Sequence, residues 1–567
     1  MIKKIKEQSV LYSIMTIAIL AFAVFFLCKC WIHISTVPYA VNEYREAADV
    51  QLTEAFLKGE IPYRLESLDA SGEMPPVLYQ YSFLNSVVSA FFALILGGRV
   101  VLAHYIVATL SMIGSAVLAY HNIDRYSGQT AAPMLGAVLT LFCHWRFGYL
   151  STTPNSLGIF LTLLTFTLAV SPRIKYKAVI TAFMCILLFY TKLYFITIAG
   201  AIFIYDLLHD RREAFSFLGM TILHGLLSVL LIQAFWPLYF TYSLFFINGT
   251  TVWAPVSRLL SSFPFLSHSE SLLFPVGTFV PQIQLFQKEM ILFQAGTTAS
   301  AYVFEQFQYM ATVFGPLFAV LAVAIATVMI RKTKRWERIH FAENDVLTLA
   351  LVQVAVQGLC MLVLGRGDGA YLSYYLQLWI PYVTIAALIC LQKYLQFPKK
   401  YVNVIILAAV SFLLIYLGYK KLPLFMMTEE DVGNWKQARA HVETYGSGDI
   451  YYDPVLAYLA MEQGKPVYNN GHTGIIGERI RKIWNDDRFA PIVFPYAGKI
   501  IEKNYAYQEQ IKEKIREHSY ALVTTDDEQL FVDDEFLREN GYIQIDDLPL
   551  AVGNADYNVR FWVPKEE

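Results

Sequence analysis

The sequence predicts an α-helical polytopic membrane protein of about eleven spans carrying a C-terminal extracytoplasmic α/β domain. Three observations predict it. Of 567 residues, 56% are hydrophobic and only 16% charged. Soluble proteins carry about a quarter charged residues, so the bilayer has to be the main solvent here. Apolar runs of spanning length recur through residues 1–420, and beyond that point the chain turns to short strand-like runs between charged stretches. A net charge of -2 gives no basic bias toward nucleic acid and no acidic or basic bias of any other kind. The six cysteines (Cys28, Cys30, Cys143, Cys185, Cys360, Cys390) lie in or beside apolar runs, so no disulfide framework or CxxC metal site is legible.

In chain order, Lys3, Lys4 and Lys6 precede an apolar run at 9–34 that is longer than a signal-peptide core and reads as a retained first span. Further runs lie at 101–121, 130–147, 156–171, 178–191, 193–208, 215–237, 308–330, 345–364, 371–392 and 402–419. The equally apolar segment 78–97 is expected not to cross. Counting it as a span would place Arg173, Lys175, Lys177, Arg211 and Arg212 outside, against the positive-inside rule. Laid along the outer face, it makes every Lys/Arg-rich short loop cytoplasmic, including Arg331, Lys332, Lys334, Arg335 and Arg338, and Lys393, Lys399 and Lys400. The expectation is a multi-pass plasma-membrane protein with a cytoplasmic N-terminus, outer loops at 35–99 and 238–307, and an outer domain at 421–567. In that last region, strand-like Asp449–Tyr452 and Tyr520–Thr524 flank a charged helical stretch near 499–517.

Chemistry is expected in the outer loops. Glu43, Glu46 and Asp49 recur every three residues, so on a helix they drift slowly around one side and two of them are able to face a cleft. Spacing alone leaves two uses open: a partly desolvated general base, or a solvated face paired with Arg45 and Lys58. Pro154-Asn155-Ser156 reads either as a functional turn or as a helix cap. Lys192, between two apolar runs, is either a partner for an anionic lipid phosphate or a snorkelling anchor. Arg366 stands among Gly365, Gly367 and Gly369, in a turn open to close approach by an anion or simply flexible. Tyr371, Tyr374 and Tyr375 serve a sugar-stacking shelf or an aromatic belt. The eleven histidines form no HExxH, and no GxxxxGK[ST] or GxSxG is present, so nucleotide hydrolysis is not supported.

In order and topology these segments resemble the GT-C superfamily of membrane glycosyltransferases, which use polyprenyl-phosphate-linked sugars. The similarity runs through Arg45-Glu46, Gly59-Glu60-Ile61-Pro62-Tyr63, Pro75-Pro76-Val77-Leu78-Tyr79, Thr153-Pro154-Asn155-Ser156-Leu157-Gly158, Thr191-Lys192-Leu193-Tyr194-Phe195, and Gly369-Ala370-Tyr371 with Pro381. It covers most of 1–420, as a GT-C-like catalytic domain with a juxtamembrane helix in its first loop. The resemblance implies inverting sugar transfer to a cell-envelope glycan, lipid or protein, with membrane lipids around it. Glu46 is implied as base, Glu43 as second choice, and Lys192 and, more weakly, Arg366 as partners of the donor phosphate. Asp49, Tyr63, Tyr79, Asn155 and Tyr371 are implied in substrate binding. Relatives that bind a divalent metal often use an acidic residue where Asn155 stands, so metal dependence is in question and no metal ligand is assigned. Two other classes stay open: a transporter or flippase of lipid-linked saccharides, although no inverted repeat is legible, and a non-catalytic envelope scaffold whose tail binds glycan.

Overall fold

The computed structural model describes residues 10–36, 46–69, 82–144, 150–240, 242–243, 322, 345–364, 370–394, 400–420, 427–471, 473, 497–527, 531–552 and 555–565. The expected span 308–330 (apart from residue 322) and nearly all of the expected loop 238–307 lie outside them, as do Glu43, Tyr79 and Arg366.

The apolar runs form helices. They are α1 (Val10–Thr36), α4 (Val100–Asp124), α5 (Ala131–Cys143), α6 (Asn155–Ala169), α7 (Lys177–Thr191), α8 (Thr197–His209), α9 (Arg211–Phe235), α10 (Asp345–Leu364), α11 (Ala370–Tyr394) and α12 (Lys400–Lys420). Among the described residues, α1, α4 and α9 are long and apolar enough to cross a membrane by length and composition. Along α9, Leu223, Leu226, Leu227, Leu230, Leu231 and Phe235 are all exposed. Water would not tolerate such a surface, and lipid does. The chain is a membrane protein. Its main core joins α1, α4, α5, α6, α7, α8, α10 and α11 around Phe26, Leu135, Leu163, Phe166, Ile385 and Leu388. At the α8 end, Lys177 meets Asp206 at 3.3 Å, and Asp210 caps α9 by accepting from the Arg212 and Glu213 N–H groups.

Among the short helices that precede α4 are α2 (Glu46–Lys58) and α3 (Leu84–Ile95). With 12 residues, α3 is only about 18 Å long and falls short of a hydrocarbon core of about 30 Å. Its polarity is inside out for a soluble helix. Asn85, Ser86 and Ser89 are buried, while Val87, Phe91, Leu94 and Ile95 are exposed. Gly97 (φ 66°) and Gly98 (φ 86°) then take left-handed conformations that turn the chain into α4.

The C-terminal region is a small α/β domain. Its sheet has the order β1-β2-β4-β3, with β1 (Asp449–Tyr451), β2 (Tyr520–Thr525), β3 (Tyr542–Val552) and β4 (Ala555–Pro564). β1 and β2 are parallel, and the rest is antiparallel. Pro549 sits in β3, an edge strand, where its missing donor is tolerated. The flanking helices are α13 (Glu429–Thr444), α14 (Ala457–Glu462), α15 (Ala497–Arg516) and α16 (Asp534–Glu539). Thr428 and Asp431 form a capping box at the start of α13, and the Trp435 indole donates to the Ala551 carbonyl at 3.1 Å. A second core runs through this domain into the helical part, combining Trp435, Val455, Leu456 and Leu459 with Ala47 and Val50 of α2 and Val100 and Ala103 of α4. The domain is therefore seated on α2.

Candidate functional site

Burial removes the solvated-face reading of Glu46 and Asp49 on α2. Glu46 is 0% and Asp49 2% exposed, so neither belongs to a solvated surface. An ionised carboxylate persists at such a depth only where donors meet it. Glu46 Oε1 accepts the backbone N–H of Thr152 at 3.0 Å, and the Thr152 hydroxyl donates to the Glu46 carbonyl oxygen at 3.0 Å. Asp49 lies one turn on, with its own carbonyl receiving the Thr53 hydroxyl at 2.9 Å. Burial pushes Glu54, on the same helix, up from the ordinary carboxylate range, with Lys58 opposing the shift.

His104 of α4 braces this arrangement, a role nothing in the sequence singled out. Thr53 gives its proton to Asp49, so it receives a proton from His104 Nε2 at 2.7 Å. Nδ1 is then the acceptor, taking the Ser89 hydroxyl at 3.1 Å and the Asn85 amide at 3.4 Å. This fixes a neutral Nε2–H imidazole. Asn85 also donates to the Thr152 carbonyl at 2.8 Å. One imidazole thereby ties α2 and α3 to the loop that meets Glu46. The only sequence signal for it was the polar set Asn85, Ser86 and Ser89 inside an otherwise apolar segment.

That loop, Leu150–Asn155, is buried throughout. At its far end Pro154 is the cap residue of α6 and Asn155 its first helical residue, so the asparagine side chain is not the cap. Instead Asn155 Oδ1 accepts from Lys192 Nζ at 3.2 Å and from the Tyr194 hydroxyl at 2.8 Å. The Lys192 ammonium also lies 5.2 Å from the centre of the Tyr194 ring. Lys192 ends α7 with an extended backbone (φ -168°, ψ 136°) before the single turn Leu193–Ile196. At 7% exposure it is buried, not a snorkelling anchor. Gly158 makes this packing possible, because the Phe195 ring lies where a β-carbon would stand.

Thr152 and Asn155 are three residues apart, so their Cα atoms are at most about 11 Å from one another. The loop therefore holds a carboxylate at one end and an ammonium at the other.

Tyr63 is fully buried in an aromatic group with Trp236, Tyr239 and Tyr242, at ring separations of 5.8, 5.3 and 6.1 Å. Its hydroxyl meets no hydrogen-bond partner among the described residues. Burial, with Tyr239 and Asp49 nearby, holds its pKa well above the ordinary phenol value. Tyr371 is the second residue of α11, its side chain outside what is described. Among the described residues no group of three or more His, Cys, Asp or Glu side chains is gathered as a metal would require.

No family model matches the chain, and no curated protein does. Among solved structures the chain is similar to ArnT from Cupriavidus metallidurans in the apo state, with 13% identity, a TM-score of 0.37, and coverage of 96% of this chain and 97% of that one. It is likewise similar to ArnT from Cupriavidus metallidurans bound to undecaprenyl phosphate, with 13% identity, a TM-score of 0.35, and coverage of 95% and 98%. At that identity and TM-score the likeness assigns no role to any residue.

Proposed function

We propose that the chain is an inverting glycosyltransferase that moves a sugar from a polyprenyl-phosphate donor to a cell-envelope glycan, lipid or protein on the outer face of the membrane. The observation that supports this reading is the Leu150–Asn155 loop, which sets the Glu46 carboxylate and the Lys192 ammonium at its two ends. Inverting transfer needs a base on one face of the sugar and a cation at the departing phosphate on the other, the two kinds of group that this loop anchors.

In this mechanism Glu46 takes the proton of the acceptor hydroxyl as its oxygen bonds to the anomeric carbon. The bond from that carbon to the phosphate oxygen breaks, and its electron pair leaves with the polyprenyl phosphate. Lys192, oriented by Asn155 and Tyr194, meets the growing charge on the leaving phosphate. Glu43 is the second choice as base and Arg366 a weaker phosphate partner. Asp49, Tyr63, Tyr79, Asn155 and Tyr371 are assigned to substrate binding.

The test compares sugar transfer from polyprenyl-phosphate donors to envelope extracts by membranes holding wild type or Glu46→Gln at matched expression. Glutamine keeps an acceptor for the Thr152 N–H and loses only the base. Transfer should fall by about 10²- to 10⁴-fold, the usual worth of a general base. Equal rates would remove Glu46 from the mechanism. No transfer by either across a broad donor panel would favour transport of lipid-linked saccharides instead.

A further inference from the structure

Tyr458 reaches the Glu46 site from the C-terminal domain, 306 residues from its partner in the chain. It stands on α14, only 4% exposed, with its ring in the core that α2 and α4 share with the domain. Its hydroxyl donates to Thr152 Oγ1 at 3.2 Å. The Thr152 hydroxyl has one proton, and that proton goes to the Glu46 carbonyl, so Tyr458 is received on a lone pair. Donation therefore runs one way, from Tyr458 through Thr152 to Glu46. The remaining groups of Thr152 are used as well: its N–H meets Glu46 Oε1 and its carbonyl takes the Asn85 amide. Burial, and then the nearby Glu46 charge, hold the Tyr458 phenol well above its ordinary pKa, which keeps it a donor. A second contact seats the domain on the same helix, with the Asn470 amide donating to Gln51 Oε1 at 2.7 Å.

We infer that Tyr458 is a positioning residue of the Glu46 site, through which the C-terminal domain holds Thr152 in the orientation that fixes the Glu46 carboxylate. The domain is then part of the transfer unit, not a separable acceptor-binding appendage. This inference rests on the reading of Glu46 as the base.

The test uses the full-length chain. Tyr458→Phe keeps the ring in its core and removes one hydroxyl, so the fold stands while the Thr152 hydroxyl loses its donor. kcat should drop about 5- to 10-fold, the worth of one such bond, with KM for the donor within about twofold. Backbone hydrogen exchange across 150–155 should rise. Thr152→Val, which removes both the bond from Tyr458 and the bond to the Glu46 carbonyl, should lose at least as much as Tyr458→Phe does. In a Glu46→Gln background, Tyr458→Phe should leave the residual rate unchanged, because it acts through Glu46. Equal losses in both backgrounds would show a general structural effect and overturn the inference, as would wild-type kcat in Tyr458→Phe. Glu46→Gln working at the wild-type rate sinks the base assignment, while unchanged exchange across 150–155 in Tyr458→Phe sinks this inference whatever the rate.

Discussion

Replacing Asn155 by aspartate probes the proposed phosphate end of the site with a single change of charge. The amide oxygen accepts from Lys192 Nζ at 3.2 Å and brings no charge to compete with a phosphate. A carboxylate oxygen in the same place would attract the ammonium by about 5 kcal/mol at an effective dielectric of about 20. Desolvation of the new charge offsets a part of that. If about a third survives as competition, the affinity for a phosphate falls more than tenfold, since about 1.4 kcal/mol is one decade. The assay is equilibrium binding of a polyprenyl phosphate to purified protein in lipid nanodiscs, with thermal stability followed in parallel. Asn155→Asp should bind more than tenfold more weakly while its melting temperature holds or rises, because a new ion pair forms. Asn155→Ala should weaken binding only a few-fold, as the ammonium loses an orienting acceptor but gains no competitor. Unchanged or tighter binding in the aspartate variant would refute the placing of Lys192 at the phosphate.

Two further outcomes follow from the geometry. Burial pushes the Asp453 carboxyl up to about 6 from its ordinary 3.8. Between those values this carboxyl binds more protons in the folded domain than in the unfolded chain, so its contribution to stability is fully present below about pH 4 and is lost as pH rises to about 6, by an amount on the order of 3 kcal/mol. Asp453→Asn keeps an acceptor for the Val455 and Leu456 N–H groups, so thermal melts from pH 4 to 8 should lose that slope; parallel slopes in the two proteins would contradict it. Gly158→Ala should cost about 1–3 kcal/mol by overpacking, because the added β-carbon meets the Phe195 ring. By moving the turn after Lys192 it should also weaken phosphate binding, and a variant with wild-type stability and binding would show that the ring yields freely.

Much of the helical part was legible because one signal, a long apolar run, carries both the helix and its environment. The run expected at 215–237 appears as α9, and those at 345–364 and 402–419 as α10 and α12. The segment 78–97 needed a different signal, the charges of loops far from it; what is described of it holds the 12-residue helix α3. In the tail, β1 and β2 stood out as strand-like runs beside a charged helical stretch. The β3–β4 hairpin did not, although Gly553-Asn554 between two β-rich runs is a turn signal. At the site, the three-residue spacing of Glu46 and Asp49 put both on one side of α2, but spacing does not tell a solvated face from a buried one. That distinction lies in what packs against the helix. Trp435 and Val455, about four hundred residues further on, supply much of the cover, and no local pattern announces them. The same holds for Thr152, whose bond to the Glu46 carboxylate rests on an N–H that every residue type but proline possesses.

The reversed polarity of α3 ties the site to its surroundings. The face carrying Phe91, Leu94 and Ile95 is turned outward, and such a face settles in the acyl region beneath the headgroups. The opposite face carries Asn85 and Ser89, which hold Thr152 and His104. The helix thus joins the lipid-facing surface to the buried carboxylate through two side chains, so that a change of lipid that shifted α3 would be felt at Thr152.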